Sequence, residues 1–255
     1  MRLVIKIGTS TLTHSSGRLN IRHVEQLCKV ISDLKNAGNE IVIVSSGAIG
    51  MGVSKLNLSE RPYDMPTKQA AAAVGQCELM YIYDKLFSEY NHTVAQILIT
   101  GDDVENKDRH RHFNDTIFRL LELEAIPIIN ENDTVSTAEI SVGDNDTLAA
   151  IVAVSVKADL LILLSDINGL YTADPKKKEG AKLISVVEDI NDEIVSIAGG
   201  AGSALGTGGM STKISAAKRC MENGIDMFIA NGAFPDLLYD IVEGKEVGTR
   251  FKGKK

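Results

Sequence analysis

Lys6 interrupts the apolar run LVIKI and is followed at once by Gly8 in LVIKIGTSTL, which places a charge near the carboxyl end of a strand-like segment. Burying a charge is costly, and open α/β sheets bind ligands beyond the carboxyl ends of their strands, so this lysine can meet an anion there. On this feature alone, an edge-strand lysine reaching water is the competing reading. A second run, IVIV at 41–44, leads into Ser45-Ser46-Gly47-Ala48-Ile49-Gly50, a small-residue turn whose free N–H groups suit an anion or a carboxylate, although ordinary tight turns look alike. The third feature is GGAGSALGTGGMSTK at 199–213. Its glycines let backbone approach phosphates, Ser211 and Thr212 can cap the helix that follows, and Lys213 adds positive charge in the first turn. A surface loop is the plain alternative, and the spacing is not that of a GxxxxGK[ST] P-loop. Opposite charge gathers in Asn130, Glu131, Asn132 and Asp133, and again in Gly143, Asp144, Asn145 and Asp146 at the start of a predicted helix. Any one of these could be a turn or cap residue, but together they suit an ammonium, a magnesium ion or paired lysines.

Other chemistries lack support. The five histidines contain no HExxH, with His110 and His112 on different helix faces, and no GxSxG is present. Cys28, Cys77 and Cys220 are widely spaced without a CxxC pair, which suggests neither a zinc knuckle nor a disulfide framework and fits a reducing cytoplasm. Lys+Arg number 27 and Asp+Glu 34, so the net charge of 27 − 34 = −7 gives no reason to expect nucleic acid or an anionic membrane as partner. No apolar stretch approaches the roughly 18 residues of a spanning helix, and the chain reads as unexported and cytoplasmic. The lysines at 176–178 read as a solvated loop.

These residues must be held by a scaffold, and 255 residues with 44 % hydrophobic composition suffice for one large domain or two closely packed small ones. Aliphatic runs at 3–7, 41–44, 94–99, 126–129, 160–164 and 227–230 are strand-length and continuously apolar, as in parallel sheets covered on both faces. Between them, apolar residues at three- and four-residue spacing predict helices over 21–37, 68–89, 109–124, 147–156 and 211–223. Gly38 and Gly224 follow two of these helices where a left-handed terminator is favoured. The alternation predicts an α/β/α sandwich with a largely parallel sheet. Residues 133–146 are expected to form a hairpin or irregular excursion, and FKGKK at 251–255 a frayed tail. No linker divides the chain, so two lobes, 1–156 and 157–255, are expected to share one sheet or pack directly.

The motifs KIGTSTL (6–12), IVIVSSGAIGMG (41–52), PIINENDTV (127–135), ISVGDND (140–146), LLSDINGLYTADP (163–175) and LGTGGMSTK (205–213), taken in order, closely resemble the glutamate 5-kinases of the amino acid kinase family over nearly the whole chain. Many relatives carry a further RNA-modifying-enzyme-like (PUA-type) module, which the chain ending at Lys255 is expected to lack. The resemblance implies an α/β/α sandwich that binds glutamate in its amino-terminal half and ATP in its carboxy-terminal half. It also implies Mg²⁺, the product γ-glutamyl phosphate as the first intermediate of proline synthesis, feedback inhibition by proline, and a homo-oligomer. By the same resemblance Ser46, Asp133 and Asn145 contact glutamate, while Lys6, Ser165, Asp166, Thr207, Gly208, Gly209, Met210, Ser211, Thr212 and Lys213 contact ATP. Lys6 and Lys213 are expected to cancel charge on the transferred phosphoryl group, with Asp146 orienting them; metal ligands are left unassigned. Two rivals are a sibling kinase acting on another carboxylate, carbamate or phosphate, and a non-catalytic amino-acid sensor, although a sensor needs no triphosphate cradle.

Overall fold

The computed structural model describes residues 1–14, 17–136, 144–175, 178, 180–198 and 209–254. Eight strands among them form a single sheet: β1 (Arg2–Ile7), β2 (Glu40–Ser45), β3 (Val94–Ile99), β4 (Ile126–Glu131), β5 (Leu160–Ser165), β6 (Val186–Val187), β7 (Asp226–Asn231) and β8 (Thr249–Phe251). Their order is β3-β4-β2-β1-β5-β7-β8-β6, and every pairing is parallel except β7 with β8. The central strands are apolar on both faces because both faces are covered, and β4 and β5 are buried along their whole length.

Alternation along each strand sends successive side chains into two separate cores. Val4, Val42, Val44, Leu161 and Leu163 pack on one face against α6 (Lys107–Glu122), α7 (Asn145–Ser155) and α9 (Met210–Glu222). Leu3, Ile5, Ile7, Ile41 and Ile43 pack on the other against α2 (Ile21–Asn36) and α4 (Met65–Ser88). This is the expected α/β/α sandwich. Shorter helices complete it: α1 (Thr9–Leu12), α3 (Ala48–Lys55), α5 (Gly101–Glu105), α8 (Asp192–Ala198) and α10 (Leu237–Val242). Gly38 and Gly224 have φ of +88° and +73°, as expected of helix terminators. No helix of the described residues is long and apolar enough to cross a membrane.

The carboxyl terminus departs from expectation. Thr249 and Phe251 are fully buried in β8, and Lys254 N–H donates to the Met221 carbonyl at 2.9 Å, so residues 251–254 are fastened rather than frayed. The three lysines and one glycine of FKGKK disguise a strand end whose single large apolar side chain supplies the anchor. The α3 helix was also not anticipated, because its glycines argue against helix on propensity alone. Gly52 and Gly75 explain them: a Cβ on Gly75 would lie 1.7 Å from the Ala48 carbonyl oxygen, and one on Gly52 would lie 1.8 Å from that of Ala71. The backbones of α3 and α4 touch, and only glycine permits that approach.

Candidate active site

The charged residues converge where β1 ends. Strand β1 lies between β2 and β5, with Lys6 in register with Val44 and Leu163, so Lys6 is central and the edge-strand reading is excluded. Its Nζ lies 2.7 Å from Asp146 Oδ1, and Lys213 Nζ lies 2.9 Å from Asp146 Oδ2. The Asp146 side chain is only 1 % exposed, against 11 % for Lys6 and 7 % for Lys213. Burial alone would push the Asp146 carboxyl up, but the two ammonium groups beside it outweigh burial and hold it below the ordinary carboxylate range. One carboxylate thus spaces two cations drawn from β1 and α9.

Local structure at α7 explains how consecutive residues serve different neighbours. Asp144 caps the helix, its Oδ1 accepting from the N–H groups of Asp146 and Thr147 at 2.8 and 3.0 Å. Successive helical positions diverge by about 100°. Asp146 therefore meets the lysines while Asn145 Nδ2 donates to Ser46 Oγ at 2.7 Å, to the Ser45 carbonyl at 3.1 Å and to Asn130 Oδ1 at 3.2 Å. Ser46 sits in the turn between β2 and α3, tied by its N–H to the Ile7 carbonyl at 2.9 Å. Gly47 follows at φ +103°, a conformation that glycine adopts without strain.

Asp133 lies in a turn after β4, half-buried, where burial and the neighbouring Glu131 carboxylate push its carboxyl up to about 6 against the opposing pull of Arg61. It stands on the same end of the sheet, beyond Asn130 and Glu131. The expected excursion through 137–143 lies outside the described residues, as do Thr207, Gly208 and the lysines at 176–177.

On the β5 side, buried Ser165 donates from Oγ to Oδ1 of exposed Asp166 at 3.2 Å, and its carbonyl accepts from Gly232 N–H at 2.7 Å. Helix α9 begins at Met210, with Gly209 at its cap position and no side-chain cap, so Ser211 and Thr212 do not cap it as expected. Ser211 is exposed within the first turn; Thr212 instead donates to the Gly209 carbonyl at 2.8 Å and to Asp146 Oδ2 at 3.1 Å. The helix starts one residue earlier than the predicted 211 because glycine can serve as cap, which frees Thr212 to reach the central carboxylate.

Sequence reasoning did not single out Gln76 or Tyr83. Asn130 Nδ2 donates to Gln76 Oε1 at 2.9 Å, and Ser45 Oγ and Tyr83 OH are 2.9 Å apart in the core. The signal available for Gln76 was a lone amide among small apolar residues in AAAAVGQ.

Among the described residues no group of three or more His, Cys, Asp or Glu side chains is arranged to hold a metal. Both Asp146 oxygens are engaged by lysines, whereas Asp166 is exposed just beyond the carboxyl end of β5. That suits Mg²⁺, which typically keeps several waters and binds through one or two carboxylates together with substrate phosphates.

The sequence profile of the amino acid kinase family matches residues 1–231. A glutamate 5-kinase of Clostridium perfringens is 53 % identical over 258 residues, covering 100 % of this chain and 96 % of that protein. A glutamate 5-kinase of Caldanaerobacter subterraneus is 51 % identical over 251 residues, covering 98 % of this chain and 68 % of that one. The solved carbamate kinase of Giardia lamblia bound to AMP-PNP superposes with a TM-score of 0.72 at 16 % identity, over 99 % of this chain and 98 % of that chain, which speaks for the fold. With a profile match spanning most of its length and full-length relatives above half identity, the chain belongs to the amino acid kinase family.

Proposed function

We infer that the chain has glutamate 5-kinase activity, transferring the γ-phosphoryl group of ATP to the γ-carboxylate of L-glutamate and so making γ-glutamyl phosphate, the first step of proline biosynthesis. Relatives bearing that name across the full chain support the reaction. The observation that supports the residue roles is the Lys6–Asp146–Lys213 bridge lying directly beside the Asn145–Ser46 contact.

A γ-carboxylate with an ordinary pKa of about 4.3 is ionised at neutral pH, so the nucleophile needs no general base. The barrier is the approach of one anion to another. Lys6 and Lys213 cancel the charge that builds on the transferred phosphoryl oxygens, and Asp146 fixes the spacing of the two ammonium groups before substrates arrive. Ser46 and Asn145 hold glutamate, with Asp133 opposite its α-ammonium. Gly209, Met210, Ser211 and Thr212, with Thr207 and Gly208 before them, cradle the nucleotide phosphates, while Ser165 and Asp166 border the nucleotide from β5. Mg²⁺ bound with ATP would supply further charge neutralisation, and Asp166 would be the carboxylate to hold it. Residues 1–156 form the glutamate lobe and 157–255 the ATP lobe. The family resemblance further supports feedback inhibition by proline at the glutamate site, a homo-oligomer and a cytoplasmic location, to which the described cysteines, all unpaired, are suited.

The product decides between the rivals. Hydroxylamine should trap a carboxylic–phosphoric anhydride as a hydroxamate, formed only with ATP and Mg²⁺. Glutamate should exceed N-acetylglutamate by roughly 10- to 150-fold in kcat/KM, since losing a charge-assisted contact to the α-ammonium costs about 1.5–3 kcal/mol. Equal rates would point to a sibling kinase, and saturable glutamate binding without turnover to a sensor.

A further inference from the structure

One backbone group dictates the orientation of a whole chain of amides. The Glu131 N–H can only donate, and at 2.9 Å it takes Asn130 Oδ1 as its acceptor. Asn130 Nδ2 must therefore face away, toward Gln76, and the Gln76 atom meeting it at 2.9 Å must be the acceptor Oε1. This leaves Gln76 Nε2, with two hydrogens, buried and without a partner among the described residues, on a side chain only 7 % exposed. A buried unpaired donor is costly, and such a group calls for an acceptor, whether water or a bound ligand.

The site around it limits what that acceptor can be. Asn130 Oδ1 also receives Asn145 Nδ2, which holds Ser46 Oγ, so Gln76 joins directly onto the amino-acid contacts. On the glutamate reading above, the γ-carboxylate goes to the lysines and the α-ammonium to Asp133. The α-carboxylate is left to Ser46, Asn145 and the N–H groups of their turn, and beside them Gln76 holds a donor that has no acceptor among the described residues. We propose that Gln76 is a specificity residue of this site: its Oε1 locks Asn130 in the orientation that positions Asn145 and Ser46, and its Nε2 donates to the α-carboxylate of the bound amino acid. The inference rests on the glutamate-kinase reading.

The test compares wild type with Gln76→Glu and Gln76→Met, using L-glutamate and its α-carboxamide analogue. Gln76→Glu keeps the acceptor for Asn130 but sets a carboxylate where the donor was. Glutamate KM at pH 8 should rise at least tenfold, with ATP KM within twofold of wild type. The ratio of variant to wild-type KM should shrink as the pH is lowered toward 6, because a protonated carboxyl regains a donor; a packing defect has no such pH signature. In both variants the preference for glutamate over the α-carboxamide analogue should fall at least fivefold, since a site built to bond a group discriminates most against its absence. Gln76→Met, neutral and of similar volume, carries the test should the charged variant fail to fold. Glutamate KM within twofold of wild type in the folded variants, or an undiminished preference over the analogue, overturns the proposal. Absence of turnover by wild-type enzyme with glutamate would instead overturn the activity reading beneath it.

Discussion

At the scale of single residues, the arrangement separates groups needed for chemistry from groups needed for binding. Lys6→Ala and Lys213→Ala should each lower kcat by at least about 10²-fold while glutamate KM changes less, because the charge matters chiefly when negative charge crowds in the transition state. Each also strands Asp146, buried and bonded to both lysines, with one cation instead of two. Single-turnover kinetics with a thermal-shift control separates the lost chemistry from lost stability. Asp133 is expected to behave differently. Its carboxyl, raised to about 6, is half protonated near that pH in the free protein, and only the ionised form pairs with an ammonium. The value of kcat/KM for glutamate should therefore fall as pH drops through about 6, and glutamate binding there should release protons, visible as a buffer-dependent enthalpy in calorimetry. The stability sign is opposite. A carboxyl whose folded pKa is raised costs stability as pH rises from the unfolded value of 3.8 through about 6, so Asp133→Asn should raise Tm at pH 7.5, leave it unchanged at pH 4, and raise glutamate KM.

At the scale of elements, the positions of Ser46 and Gln76 depend on how closely α3 and α4 approach. Three glycines of GAIGMG in 47–52 do three different jobs: Gly47 takes a left-handed backbone, Gly52 admits the α4 backbone, and Gly50 has only ordinary contact at 3.7 Å to Thr9 Cγ2. Gly75→Ala should cost at least about 2 kcal/mol, because its Cβ would meet backbone that cannot yield, and Tm should drop by roughly 5–10 °C. Gly50→Ala should be neutral or slightly stabilising by comparison. Equal effects of the two changes in thermal unfolding would remove the close approach as the reason for these glycines. This element also shows where sequence reading stops. The runs at 3–7, 41–44, 94–99, 126–129, 160–164 and 227–230 each identify a strand; burial on both faces leaves that pattern in all but 94–99, the half-buried edge strand β3. Helix α3 left none: glycine lowers helix propensity, and the backbone contact that outweighs propensity is made with a helix 23 residues away, from Gly52 to Gly75. Gln76 was illegible for the same reason, its partner Asn130 being 54 residues distant.

At the scale of the whole molecule, β1 and β5 join the two halves as adjacent strands at the centre of one sheet, and Asp146 of α7 takes its lysines from β1 and α9 on either side of that junction. We expect unfolding as a single transition, coincident by near- and far-ultraviolet circular dichroism, with ATP·Mg²⁺ and glutamate each shifting that same transition upward. Two separated transitions would mean that the halves fold independently. Phe251, fully buried at the end of the chain, belongs to this unit: Phe251→Ala should cost about 3–5 kcal/mol in denaturant unfolding. Its role was hidden because a lone aromatic amid glycine and lysine carries no periodicity, although β8, paired with both β7 and the edge strand β6, buries it fully.

The Asp146 bridge has a further consequence for how the protein lives among the small anions of a cell. Two exposed lysines at a strand end would attract chloride, sulfate and free phosphate indiscriminately, and a nucleotide would have to displace them. Here a resident carboxylate already serves as counter-ion to both, nine-tenths hidden from solvent along with its lysines. A simple inorganic anion must break those ion pairs and offers little in exchange, while a nucleotide brings phosphates, ribose and base whose combined contacts can loosen them. The lysines are guarded by their own neighbour, and saturation of the site by background electrolyte is avoided without any moving part.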